Sequence, residues 1–178
     1  MAVAGMLVGV SVVRTEASSP TEYEVKAAYL YNFGRFVEWP QDAAPALAND
    51  FAICVLGRDP FGKALDTTIT GEQIDGKSVV ARRISRVEDA AGCRELFISP
   101  SEQGQLKGDL STLEKLSVLT VSDMPEFVEC GGMVQFVLSG ARVRFEINLA
   151  AAHHAGLSLS AELLKVAAEV RQGPTPED

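Results

Sequence analysis

Residues 57–64 read GRDPFGKA, which places a glycine five positions before a Gly-Lys pair. The same spacing occurs in phosphate-binding loops, which end in Gly-Lys followed by Ser or Thr. The run FAICVL at residues 51–56 precedes it directly and has the apolar character of a buried strand. In a strand–loop–helix unit of this kind, backbone N–H groups and Lys63 would hold the phosphates of a nucleotide.

Three residues of this stretch disfavour nucleotide binding. Ala64 stands where the loop needs a hydroxyl to ligate Mg²⁺, and Asp59 would set a carboxylate beside the phosphate charge. Pro60 lacks the N–H group that this position would donate. The alternative is an ordinary turn in which Asp59 caps a short helix that begins at Pro60. We favour this alternative, because a glycine motif outside its full context is a weak signal.

Other catalytic and metal-binding patterns are weak as well. His153 and His154 are the only histidines, and adjacent side chains on a helix point too far apart to chelate one ion easily. We predict that they lie at the surface, at the end of a hairpin. Cys130 would be reactive only beside a base, which the sequence does not reveal, and no Gly-x-Ser-x-Gly motif occurs. The sequence therefore predicts no catalytic residue, no metal and no cofactor.

The charge of the chain narrows the classes of partner. The chain has 178 residues, a formal net charge of −8 and an isoelectric point near 4.8. Nucleic acids and anionic lipid surfaces are bound mainly through Lys and Arg, so the charge argues against both partners. The length and the hydrophobic content of 47% suit one globular domain with a sizeable core.

Residues 1–17 differ from the rest of the chain. Their apolar run at residues 2–13 is shorter than the ~20 residues of a membrane span. Thr15-Glu16-Ala17 matches a signal-peptidase site with cleavage before Ser18, although no basic residue precedes the run. A buried N-terminal strand or helix is the alternative. We predict a signal peptide over residues 1–17, one domain over residues 18–172, a flexible tail over residues 173–178 and no direct membrane insertion.

Export bears on the three cysteines, Cys54, Cys93 and Cys130. Exported proteins keep disulfide bonds, and an odd number of cysteines leaves one thiol over. The residues alone allow three pairings. They also allow buried free cysteines that act as small apolar side chains.

Strand-like and helix-like segments alternate through most of the chain. Thr21 and Glu24 form a capping box that predicts the start of the first helix. A strict alternation follows Ser139-Gly140 and predicts an antiparallel hairpin near the C-terminus, with a last helix that starts near Ser160. Further strands are predicted at residues 51–57, 78–84, 95–99 and 117–121. Helices are predicted at residues 60–66 and at residues 102–116, the second interrupted near Gly108, and a turn at residues 71–76.

This order predicts the fold class. Strands that alternate with helices imply parallel βαβ units, and the hairpin adds antiparallel neighbours. We therefore expect a single α/β domain whose mixed, mostly parallel sheet carries helices on both faces and a C-terminal antiparallel hairpin.

The stretch YLYNFGRFVEWP is richer in aromatic residues than one helix face requires. Tyr29, Phe33 and Phe36 fit the buried stripe of the first helix. Tyr31 and Trp39 need not do so, and a partner surface is an equally good interpretation, because Tyr and Trp are enriched in binding hot spots.

Several segments, taken in order, resemble the YfiR family of bacterial periplasmic proteins. They are AAYLYNFGRFVEWP, FAICVLGRDPFG, CRELFIS, SVLTVSD, GGMVQFVL and RFEINLAAAHHAGLSLSAELLKVA, and the similarity covers about residues 22–170. The most specific pieces are the aromatic helix that ends in EWP and the block that begins with RFEINL.

The resemblance implies a regulator and not an enzyme. It implies binding to the periplasmic sensor part of an inner-membrane diguanylate cyclase, which is held inactive, so that cyclic di-GMP and biofilm formation stay low. An outer-membrane lipoprotein partner that sequesters the repressor and a homodimeric state are also implied. A periplasmic small-molecule binding module that feeds a sensor kinase is the alternative function.

The resemblance also assigns individual residues. It implies a disulfide bond between Cys54 and Cys93. Cys130 matches the first cysteine of a second pair, but residues 131–140 contain no partner for it, so a free thiol is implied. Arg144, Glu146 and Asn148 share one face of the predicted hairpin, and their block resembles a region of partner contact.

Overall fold

A computed structural model describes residues 19–41 and 49–172. The predicted signal peptide and the predicted C-terminal tail lie outside these residues. Within the described ranges, no helix combines the length and the apolar character that crossing a bilayer requires.

The first helix begins where the sequence predicts it. The Thr21 hydroxyl accepts a hydrogen bond from the Glu24 backbone N–H at 3.3 Å, and the Glu24 carboxylate accepts one from the Thr21 N–H at 2.6 Å. These reciprocal bonds satisfy two N–H groups that a helix start otherwise leaves without partners. Helix α1 spans Glu22–Phe36.

The remaining elements follow in chain order. The strands are β1 (Val37–Glu38), β2 (Asp50–Leu56), β3 (Gln73–Ile74), β4 (Lys77–Ile84), β5 (Glu95–Ile98), β6 (Leu119–Ser122), β7 (Val134–Ser139), β8 (Arg142–Asn148), β9 (Ser158–Leu159) and β10 (Glu169–Arg171). The other helices are α2 (Lys63–Ile69), α3 (Leu106–Leu113), α4 (Leu149–His154) and α5 (Ala161–Val166), with 3-10 helices at Val87–Gly92 and Pro100–Glu102.

Eight strands form one mixed sheet in the order β10-β8-β7-β6-β5-β2-β4-β3. The five strands β4, β2, β5, β6 and β7 run parallel, whereas β7 and β8 form the antiparallel hairpin and β3 pairs antiparallel with β4. Strands β1 and β9 form a separate two-stranded antiparallel sheet. The predicted α/β class and the C-terminal hairpin are confirmed.

Strand β2 separates two apolar cores. Phe51, Ile53 and Val55 pack on the face covered by α1 and α2, whereas Ala52, Cys54 and Leu56 pack on the face covered by α3 and the 3-10 helix Val87–Gly92. Because both faces of β2 are covered, all six of these side chains are buried. Helices therefore lie on both faces of the sheet, as predicted.

Glycine at position 34 lets α1 approach β2 closely. A Cβ atom there would lie 2.7 Å from Cδ1 of Ile74 and 2.8 Å from Cζ of Phe51. Contacts this short cannot persist in a packed core, so a larger residue would force the helix and the sheet apart.

Five local predictions were wrong. The helix after β2 begins at Lys63, three residues after Pro60, because Asp59 uses its carboxylate on the Phe61 N–H and on Arg83. The predicted turn at residues 71–76 contains β3, and the predicted last helix gives way to β10 after Val166. Helix α3 runs through Gly108 without a break, and the two histidines end α4 rather than the hairpin.

Candidate functional site

The carboxyl ends of β2 and β5 lie side by side, with Leu56 in register with Ile98. The chain leaves β2 toward β4 on one side and returns to β5 on the other, so this is the point where the strand order reverses. Doubly wound sheets bind their ligands in the crevice at such a point. The GRDPFGKA stretch lies here, and we call the ends of β2, β5 and β6 with their following loops the carboxyl edge.

The chain itself closes the crevice between the β2 and β5 loops, and a cavity of about 560 Å³ lies beside it, between the start of α1 and residues 60–68. The Arg58 backbone N–H donates to the Ser101 hydroxyl at 2.9 Å, and that hydroxyl donates to the Glu102 carboxylate at 2.7 Å. A Cβ atom on Gly57 would come within 2.2 Å of the Glu102 carboxylate, which shows how closely the two loops approach. A carboxylate in this position repels phosphate, so the geometry agrees with the turn that the sequence predicts.

Side chains around the same loop are engaged in structural contacts. Arg83 contacts Asp59 at 3.0 Å and Asp66 at 2.7 Å, and this pairing holds the pKa of the Asp66 carboxyl below its usual value. Lys63, which a phosphate would require, is exposed. The Arg83 contacts therefore attach α2 to β4 and leave no cationic cradle at the glycines.

A buried ion pair joins α1 to the end of β6 at the carboxyl edge. The Lys26 ammonium contacts the Asp123 carboxylate at 2.6 Å, and the two side chains are 4% and 9% exposed. The Tyr23 hydroxyl donates to the same carboxylate oxygen at 2.9 Å, and burial together with this bond raises the Tyr23 pKa. One buried charge thus has two partners, which makes Asp123 an anchor for α1.

A second carboxyl group has no partner among the described residues. Glu95 in β5 is fully buried, neither of its oxygens is hydrogen-bonded, and burial raises its pKa well above the usual value. Its strand neighbours in register are Ile53 and Leu119, which are apolar. The neutral acid is the form that this environment favours.

The structure joins Cys54 and Cys93 by a disulfide bond, with the two Cα atoms 5.9 Å apart. Cys54 lies in β2, and Cys93 directly follows the 3-10 helix Val87–Gly92. The bond therefore fastens that helix to the sheet from within the second core. Cys130 is a free thiol on the surface.

Tyr31 and Trp39 make contacts inside the protein. The Tyr31 hydroxyl donates to the Glu72 carboxylate at 2.6 Å, and the Trp39 indole N–H donates to the Arg94 carbonyl at 3.2 Å. The Trp39 ring also packs edge-on against Phe51, with 5.3 Å between ring centroids. Both side chains remain half-buried, and neither of their partners belongs to β8.

The three residues predicted on one face of the hairpin differ in their surroundings. Arg144 is exposed, and its guanidinium reaches the Val166 carbonyl at 3.4 Å. Glu146 is half-buried and lies 3.7 Å from Arg171 of β10. Asn148 caps α4 by accepting from the Ala151 N–H at 3.0 Å, and its amide donates to the Val128 carbonyl. Among these three, Arg144 is the side chain best placed to meet a partner.

A groove along α1 was missed by the sequence reasoning. One cavity of about 580 Å³ lies between α1 and the β7–β8 hairpin, and another of about 260 Å³ lies between α1 and α5. Tyr29 lines both cavities, so they form one surface, which we call the α1–β8–α5 groove. Within the described chain, the three exposed large apolar side chains all line it, and they are Phe36, Leu138 and Val166.

The exposure of these side chains is substantial. Leu138 is 59% exposed, Val166 57% and Phe36 37%. Single exposed apolar residues are ordinary, but several that line one groove are typical of an interaction surface. The groove combines residues from positions 36, 138 and 166, which no local pattern brings together.

Among the described residues, the histidines and the acidic side chains do not gather into a metal centre. His153 and His154 are exposed at the end of α4. Throughout residues 19–41 and 49–172, no three His, Cys, Asp or Glu side chains come together as a metal site requires.

Comparisons with solved structures describe the fold. A conserved domain protein from Vibrio cholerae O1 biovar El Tor matches with a TM-score of 0.58 and 12% identity over 86% of this chain and 62% of that chain. The ABC domain from Streptococcus pneumoniae, solved in complex with L-Trp, matches with a TM-score of 0.55 and 11% identity over 81% of this chain and 60% of that chain.

The chain thus spans about three fifths of the length of both solved proteins. At these identities the likeness concerns the fold alone. No curated protein matches the chain significantly.

A family model gives the decisive comparison. The model described as YfiR/HmsC-like matches residues 23–168, which include α1 from its second residue onward, the disulfide, the hairpin and α5. The match covers most of the chain and agrees with the motifs from AAYLYNFGRFVEWP to the RFEINL block. The chain therefore belongs to the YfiR/HmsC-like family.

Proposed function

We propose that the chain is a periplasmic regulator that binds the sensor part of an inner-membrane diguanylate cyclase and holds the enzyme inactive. Membership of the YfiR/HmsC-like family over residues 23–168 is the observation that carries this proposal. The disulfide between Cys54 and Cys93 supports it, because such bonds persist in the oxidising periplasm. The chain itself performs no chemistry in this scheme.

The mechanism is a shift between two states of the cyclase. A repressor must bind the inactive state more tightly than the active one, because only differential affinity moves the equilibrium. A partner anchored in the outer membrane, such as a lipoprotein, would relieve repression by competing for the repressor. We further propose that the repressor is a homodimer and that Tyr31, Trp39, Arg144, Glu146 and Asn148 contribute to its partner surfaces.

Deleting the gene in its native host tests this function. We expect cyclic di-GMP and biofilm mass to rise, and to fall again when residues 18–178 are supplied behind an export signal. The matched control is the same segment without the signal, which should restore nothing because the sensor part faces the periplasm. Unchanged cyclic di-GMP after deletion would contradict the proposal.

A small-molecule binding module that feeds a sensor kinase is the alternative. The likeness to a pneumococcal domain solved with L-Trp favours it at the level of the fold. Ser101 and Glu102 disfavour it, because they fill the crevice where such sheets usually bind ligands. A thermal-shift screen of amino acids that raises the melting temperature of the purified chain would support this alternative over the first function.

A further inference from the structure

The α1–β8–α5 groove has a cationic rim along β8, whereas its other sides carry the acidic side chains Glu22 on α1 and Glu162 on α5. Arg142 and Arg144 line its wider cavity, both are exposed, and neither forms an ion pair with another described residue. Glu22 pairs with the buried Lys26, so among the charged side chains that line the wider cavity only Arg142 and Arg144 have no ion-pair partner in the described chain. Such a rim attracts carboxylates and repels cations.

Strand β8 also has an incompletely covered edge beside this groove. β10 pairs with β8 only at residues 146–148, and residues 142–144 have no neighbouring strand on that side in the described chain. An unpaired strand edge accepts an extended peptide through backbone hydrogen bonds. Val143 lies at the centre of this open stretch with its side chain in the core. Its carbonyl accepts a long hydrogen bond from the Tyr29 hydroxyl at 3.5 Å, which a docking segment would have to share or displace.

The charges argue against a second copy of β8 as the occupant. If two copies paired antiparallel about Val143, Arg142 of one copy would lie opposite Arg144 of the other. Like charges directly opposite each other destabilise a strand pair. An extended segment with carboxylates at alternate positions would instead place an acid beside each arginine.

We propose that the α1–β8–α5 groove binds an extended segment of a partner protein in which apolar and acidic side chains alternate. The apolar side chains pack against Tyr29, Leu138 and Val166, and the carboxylates pair with Arg142 and Arg144. This inference rests on the proposed regulatory function, and it states the chemistry of the partner segment that the regulator recognises.

Selection from a random peptide library displayed on phage tests the inference. The bait is the chain purified from the periplasm, so that its disulfide bond is intact. We expect the enriched peptides to alternate apolar residues with Asp or Glu and to bind more weakly at high salt, because rim charges are screened. Enrichment of peptides without acidic residues, or of no peptide, would overturn the inference.

Substitutions in the groove test where a selected peptide binds, once that peptide has been synthesised and its affinity for the chain measured. The pair Arg142→Glu and Arg144→Glu should weaken it at least about tenfold, because attraction becomes repulsion at the rim. Leu138→Gln with Val166→Gln should weaken it as well, and the matched control Arg58→Glu should leave it unchanged. Peptide binding that survives the charge reversal would refute the assignment. A dimer detected by sedimentation would also refute it, if the Leu138 and Val166 changes dissociate that dimer and the arginine changes do not.

The outcome is separable from that of the proposed function. A selection without acidic peptides, in a host where deletion still raises cyclic di-GMP, would reject the groove and keep the regulator. Acidic peptides that bind at the groove, with unchanged cyclic di-GMP on deletion, would keep the groove and reject the cyclase as its target.

Discussion

Polar side chains at the carboxyl edge are bonded within the protein, whereas side chains along the α1–β8–α5 groove are exposed to solvent. At the carboxyl edge the Glu102 carboxylate closes over Gly57, and Asp123 receives bonds from both Lys26 and Tyr23. Along the groove, Leu138, Phe36 and Val166 face solvent, and Arg142 and Arg144 have no ionic partner within the described chain.

The carboxyl edge is where this fold is expected to bind a ligand, whereas the α1–β8–α5 groove is the surface that we propose for binding in this chain. A sheet with this strand order ordinarily keeps the crevice at its reversal point open for a ligand. Here Ser101 and Glu102 occupy the crevice between the β2 and β5 loops, and the groove that we propose as the binding surface lies elsewhere on the molecule. Changes at the carboxyl edge should therefore affect stability, and changes at the groove should affect recognition.

The largest effect is expected at the buried ion pair. Lys26→Met removes the main partner of Asp123 and leaves a buried charge, so the free energy of unfolding should fall by about 3–5 kcal/mol. Chemical denaturation measures this loss, and Lys63→Met, an exposed change, is the matched control. An unchanged denaturation midpoint would show that the edge is not held together by this contact.

Loss of the disulfide bond should rank next. Replacing both Cys54 and Cys93 by Ala frees the unfolded chain and should lower the free energy of unfolding by about 2–4 kcal/mol. Replacing Cys130 alone should change little, because that thiol is free and exposed. The groove is built on the other core, so the folded double variant should still bind peptide. Loss of that binding would mean that the groove depends on the disulfide-linked part of the protein.

A smaller, pH-dependent effect is expected from Glu95. Burial raises its folded-state pKa above the unfolded value of about 4.3, so the folded chain keeps a proton that the unfolded chain releases. Stability from this group is fully present below that lower pKa and is lost as the pH rises toward the folded-state pKa. Glu95→Gln should therefore reduce the fall in stability between about pH 4.5 and 8.

Denaturation at several pH values, compared with the exposed control Glu114→Gln, measures that slope. Parallel curves for wild type and Glu95→Gln would mean that Glu95 is ionised in the folded chain.

The smallest effect on stability is expected in the groove. Leu138→Gln and Val166→Gln are changes at exposed positions and should alter the free energy of unfolding by no more than about 0.5 kcal/mol each. The same changes should weaken binding of acidic, apolar peptides. A large loss of stability would identify the groove as part of the core and not as a recognition surface.

Much of the fold follows from local patterns. The Thr21 and Glu24 capping box and the alternation through residues 142–148 act between near neighbours, and both appear in the structure as predicted. β10 did not follow, because Val170 becomes a strand residue only by pairing with Ile147, which lies far away in the sequence.

The candidate site was less accessible from the sequence. Alternation places Arg144 and Asn148 on one face, but it does not reveal that Asn148 is engaged as a helix cap while Arg144 remains exposed. Likewise, the aromatic content around Trp39 gives no sign that its indole N–H bonds to the Arg94 carbonyl. The groove needs three distant segments to meet, and only tertiary packing determines that meeting.

The bond between Cys54 and Cys93 also fixes what happens when the backbone is cut. The two residues are 39 positions apart, and the covalent ring that they close contains α2, β3, β4 and a 3-10 helix. A protease that nicks the chain inside this ring creates new termini without releasing a fragment. The two pieces separate on a denaturing gel only after reduction. A backbone cut within this ring therefore goes undetected until the disulfide bond is reduced.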